Sequence, residues 1–89
     1  MMMVMAKRLT TKQILAETAG WYGAFAILTG YTLVSFDLIS GNGLLFQLLN
    51  LTGAVGFIVI ATYKKVRQTI VLNIFWGIVA IVAIINIFI

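Results

Sequence analysis

The chain has 89 residues, of which 63% are hydrophobic and 9% charged, with six Lys or Arg against two acidic residues. Soluble domains carry roughly a quarter charged residues, and a chain this short folded in water would leave much apolar surface exposed. The composition therefore predicts an all-α membrane protein. It also narrows the chemistry. With no Cys and no His there is no thiolate, no imidazole base and no ordinary metal ligand. Glu17 and Asp37 fall near opposite ends of one apolar run, too far apart for acid–base work, so no catalytic residue, metal or cofactor is expected and the chain does not read as an enzyme.

Residues 1–13 read as a cytoplasmic segment, with the methionine-rich start at 1–5 left out of the fold reading. Lys7 and Arg8 before an apolar run resemble the start of a signal peptide. The run exceeds the roughly 7–15 residues of such a segment and shows no clear cleavage site, so a retained first span is expected. Thr10-Thr11-Lys12-Gln13 matches a capping box, in which the Thr and Gln side chains satisfy free amides at a helix start.

Three apolar runs, at about 14–36, 44–63 and 69–89, each approach the roughly 20 residues a spanning helix needs. They make up a transmembrane domain over 14–89. Ser40-Gly41-Asn42-Gly43 punctuates the first link with residues tolerant of positive φ, and about five residues between Tyr63 and Thr69 predict a tight antiparallel hairpin. Lys7, Arg8 and Lys12 precede the first run and Lys64, Lys65 and Arg67 fill the second link, while the first link and the C-terminus have no basic residue. That distribution places the N-terminus in the cytoplasm and the C-terminus outside a bacterial-type plasma membrane. Bases flanking hydrophobic spans suit anionic lipid rather than nucleic acid.

In the first span Ala16, Gly20, Gly23, Ile27 and Gly30 form a small-residue seam for close helix packing. Glu17 lies about one turn inside, where desolvation favours the neutral acid. It is a candidate proton-coupling group, or a snorkelling carboxylate paired with Lys12 or Lys65. In the second span Gln47, Asn50, Gly53 or Ala54, and Phe57 share a face opposite Leu45, Leu48, Val55 and Val59, with Gly56 as a further packing residue. In the third, Asn73, Gly77, Ala80 and Ile84 form a stripe with Trp76 beside it. An unpaired amide is costly in hydrocarbon. These amides either join helices, at about 0.6–2 kcal/mol per bond, or line a solute cavity.

The segments "GWYGAFAILTGYTLVSF", "LLFQLLNLTGAVGF" and "TIVLNIFWGI" resemble, in order and spacing over about 14–85, a family of small uncharacterised bacterial membrane proteins known by a locus-tag label. The likeness rests on Gly20-Trp21, Asn50-Leu51 with Gly53-Ala54, and Asn73 with Trp76. It implies three spans and no assigned activity. A more remote likeness is to the SemiSWEET and PQ-loop half-transporters, three-helix units that pair into a six-helix sugar carrier. Asn73 is similar to the pocket Asn of their third helix, and Phe57 falls where their second helix has a Trp. The Pro-Gln hinge of their first helix is replaced by Leu33-Val34, and their basic first link has no counterpart here. The expectation is a six-helix homodimer that carries or binds a small neutral solute through Gln47, Asn50, Phe57, Asn73 and Trp76. The other reading is a structural or regulatory membrane subunit without transport.

Overall fold

A computed structural model describes residues 10–89 and contains three α-helices there: α1 (Thr11–Ser35), α2 (Leu44–Lys64) and α3 (Arg67–Phe88). The helices begin and end within three residues of the apolar runs. Lys7 and Arg8 lie outside the described residues.

The start of α1 is set locally. Thr10 is extended, its hydroxyl accepts from the Gln13 amide at 3.1 Å, and its own amide donates to Gln13 Oε1 at 3.3 Å, completing the capping box. The first chain reversal uses a different device from the one its glycines suggest, and the second, which has no glycine, uses the same one. No glycine among the described residues has positive φ; the left-handed residues are Asp37 (φ 58°), just past α1, and Lys65 (φ 60°), which caps α2. Asp tolerates that conformation well, Lys poorly. At the α2 end the Val66 amide donates to Ala61 O at 2.9 Å, and Lys65 and Val66 alone join α2 to α3. Replacing Lys65 with Gly relieves the strain and is expected to stabilise the fold by roughly 0.5–1 kcal/mol, read as a raised thermal midpoint in detergent.

α2 is the middle helix. It packs against both α1 and α3, which do not pack against each other, so the three form a single antiparallel layer. The α1–α2 interface is a backbone contact. A Cβ built on Gly23 would stand 2.7 Å from Gly53 O and 3.1 Å from Phe57 N, and one on Gly53 would stand 2.7 Å from Ile27 Cγ1. A Cβ on Gly56 would collide with Ala19 O, and one on Gly20 would lie 2.9 Å from Ile60 Cβ. The seam predicted on α1 thus meets a matching seam on α2 of the same chain. Beside it, Thr52 Oγ1 donates to Leu48 O at 2.8 Å, so the Tyr22 hydroxyl, 2.7 Å away, is the donor in the bond that ties α1 to α2. The α2–α3 contact is looser, because a Cβ on Gly77 would meet only Leu51 Cδ1 at 3.9 Å.

Burial is inverted relative to a soluble domain. Among the described residues the buried apolar ones are all alanines (Ala16, Ala26, Ala54, Ala61 and Ala80), and no large side chain is fully buried. Phe25, Leu28 and Val71 are each more than 60% exposed. Small residues inside and large apolar ones outside suit a hydrocarbon surround, where packing rather than hydrophobic burial joins helices. Two helices, α2 and α3, are long and apolar enough to cross a membrane. The first predicted span falls short of that standard. α1 has the length, but its four Thr, three Gly and two Tyr dilute the apolar residues.

Candidate functional site

Because α1 and α3 flank α2 without meeting, one face of the layer is concave. It holds a groove of about 290 Å³ lined by Ile27 and Tyr31 from α1, Asn50 and Phe57 from α2, and Thr69, Leu72, Asn73 and Trp76 from α3. Its walls are mostly apolar with a few amides and hydroxyls, the usual make-up of a small-molecule cleft, and its size is at the small end.

Of the two groove carboxamides, one is held by its own helix. Asn73 is buried, and its Nδ2 donates to Thr69 O at 2.9 Å, one turn back, so Oδ1 is the atom it can offer to an incoming donor. Asn50 is half-buried and makes no side-chain hydrogen bond among the described residues. Each Asn lies six residues into its helix, and the helices are antiparallel. The two carboxamides are therefore roughly 13 Å apart along the layer, at 1.5 Å rise per residue. They do not face each other; Phe57 and Trp76 line the stretch between. The aromatic walls are braced from behind. Tyr31 meets Phe46 edge-on at 6.0 Å, Phe46 lies on Gly30, and Phe75 meets Trp76 at 5.6 Å.

Of the five residues proposed from sequence to line a cavity, the structure brings four together: Asn50, Phe57, Asn73 and Trp76. Gln47 is not among the lining residues. It sits in the first turn of α2, where its buried amide donates to Gly41 O in the preceding link at 3.0 Å, while Oε1 has no partner. Its helical phase suits the groove, but its depth does not. Thr69 and Leu72 were missed, although Thr69, Leu72, Asn73 and Trp76 share a helical face. Ile27 and Tyr31 carried no such signal, because their role depends on how α1 docks.

Glu17 pairs with Lys64 at 3.0 Å, correcting the expectation of Lys12 or Lys65. Lys65 leaves the helix through its left-handed cap, and Lys64 is the last residue to follow helical phase. The ion pair joins α1 to α2 at one end of the layer and borders a hollow lined by Gly20, Trp21, Ala24 and Phe57, the last shared with the groove. With Lys64 54% exposed, the pair adds at most about 1 kcal/mol. The packing stripe on α3 lies where spacing put it, with Asn73, Gly77 and Ala80 buried.

A protein-family model matches residues 16–89, and its family is the locus-tag one that the sequence motifs resemble. Comparison with curated proteins and with solved structures gives no match.

Proposed function

The chain belongs to that family of small uncharacterised proteins, and on this premise we propose that it is a multi-pass membrane protein whose groove binds or passes a small neutral solute. In this reading all three helices span, α1 relying on its neighbours to shelter its Thr and Tyr side chains. A second copy covers the open face, giving a six-helix homodimer with Asn50, Phe57, Asn73 and Trp76 at its centre. The observation that carries the proposal is the pairing of two features: large apolar side chains outside, and two carboxamides in the one concave face. Amides facing lipid unpartnered would be costly, and neutral groups on both sides of an aromatic stretch favour a neutral ligand. Among the described residues no charged side chain lines the groove, and Glu17, the candidate proton-coupling group, borders the separate hollow that shares Phe57 with it.

The test is a thermal-shift panel of sugars, amino acids and small amides on the purified protein. A stabilising solute supports the groove reading. No stabilising solute, with a monomer in mild detergent, would favour a subunit that docks its open face on a larger membrane partner.

Orientation has its own test. Lys12, Lys64, Lys65 and Arg67 gather at one end of the layer, and no Lys or Arg lies in the link at the other end. With the basic end cytoplasmic, Ser40→Cys and Gln68→Cys, each made in this cysteine-free chain, should label from opposite sides of intact cells. Labelling of both from outside would overturn the orientation.

A further inference from the structure

The basic end of the layer is unevenly neutralised. Lys64 is engaged by Glu17 at 3.0 Å, whereas Lys65 and Arg67 have no acidic partner among the described residues. Asp37, the other acidic residue, lies past the far end of α1. Arg67, with Gln68, Val71 and Leu72, lines a shallow hollow of about 510 Å³ on α3, two residues beyond Lys65 in the chain. It is distinct from the solute groove, with Leu72 as the ridge between them. A cationic head therefore stands directly above an apolar shaft. Val71 is 67% and Leu72 54% exposed, and Phe75, one turn further along, is 59% exposed.

Lys65 adds an independent observation. It occupies a left-handed cap (φ 60°) where Gly or Asn is the low-strain choice, so a cation stands here in a conformation that Lys adopts at a cost. Its charge has no acidic partner among the described residues.

We infer that this end of α3 is a binding site for one anionic phospholipid. Its phosphate is held between Arg67 and Lys65, and an acyl chain lies along Val71, Leu72 and Phe75. Charge complementarity selects the occupant: a guanidinium presents paired donors to a phosphate, and a zwitterionic lipid offsets that charge with its own cation. The apolar shaft selects a lipid over free phosphate. The inference rests on the membrane placement proposed above but not on any solute. A binding assay in detergent reads it separately from the labelling experiment.

The experiment titrates the purified full chain with phosphatidylglycerol and phosphatidylcholine of matched acyl chains and counts bound lipids by native mass spectrometry. The parent should prefer phosphatidylglycerol by roughly twenty-five-fold, two basic residues each contributing about a factor of five. Lys65→Gln with Arg67→Gln should bring the preference near parity. Lys65→Arg with Arg67→Lys should keep it, which excludes misfolding as the cause, and Lys12→Gln, on the far helix, should also keep it. Glycerol phosphate, the headgroup without its tails, should not compete. Equal affinity of the parent for both lipids, an equal loss in Lys12→Gln, or full competition by glycerol phosphate would each overturn the site.

Discussion

Replacing Gly56 with Leu is expected to separate α1 from α2 and lower stability by about 3 kcal/mol or more. Even one added carbon at this position collides with Ala19 O, a backbone atom that no rotamer change can move. The next turn of α1 is equally fixed: Gly23 N and Cα lie 3.1 and 3.2 Å from the same added carbon. Overpacking a core that can shift side chains costs about 1–3 kcal/mol, and here two helix backbones would have to part. Gly23→Leu should behave alike, since its added carbon meets Gly53 O at 2.7 Å. Separation would also break the bond between Tyr22 and Thr52 and the ion pair between Glu17 and Lys64, both of which cross this interface.

Gly77→Ala is the informative control. Its added carbon meets nothing closer than 3.9 Å, and Ala is favoured over Gly in a helix interior by about 1 kcal/mol. Thermal denaturation in detergent, followed by circular dichroism, should rank Gly77→Ala at or above the parent and the two Leu variants far below. Equal melting of all four proteins would mean that the α1–α2 seam does not hold the fold.

What could be read from the residues divides along physical lines. The capping box is local, and Thr10 and Gln13 form it as their spacing required. The seam of Ala16, Gly23 and Gly30 was legible because only small side chains permit close approach, and three- and four-residue steps place them on one face. Depth and partner choice were not legible. Gln47 has the phase of the groove, yet its closeness to Gly41 takes its amide into the link. The partner of Glu17 turned on the rotation between adjacent lysines, which depends on where α2 ends. Nothing in the sequence marked Lys65, which has no glycine near it, as the left-handed residue that ends α2. The central position of α2 is a property of the tertiary packing, and Ile27 and Tyr31 join the groove only because of it.

The amides of the groove decide between carrier and scaffold. Asn50→Leu and Asn73→Leu should each leave the fold close to parent stability. Among the described residues Asn50 forms no side-chain bond that would be lost, and Asn73 gives up only a bond to Thr69 O, a carbonyl within its own helix. Neither change strands a buried partner, the circumstance that makes such substitutions expensive. Their effect should fall on the ligand instead. A solute at a hundredfold its Kd stabilises the parent by about 2.7 kcal/mol, and removal of the carboxamide that the solute touches should abolish most of that gain. Because the two groups are roughly 13 Å apart by helical rise, a small solute touching only one of them would lose its effect in one variant and keep it in the other. A scaffold predicts the reverse pattern. There, Asn50 would bond across to a second copy or a larger partner, its replacement would cost about 1–2 kcal/mol of association, and no solute would matter. Thermal shift and size-exclusion chromatography of the parent and both variants, with and without solute, separate the two outcomes. Variants that dissociate, together with a parent that no solute stabilises, would leave the groove as an interface rather than a binding site.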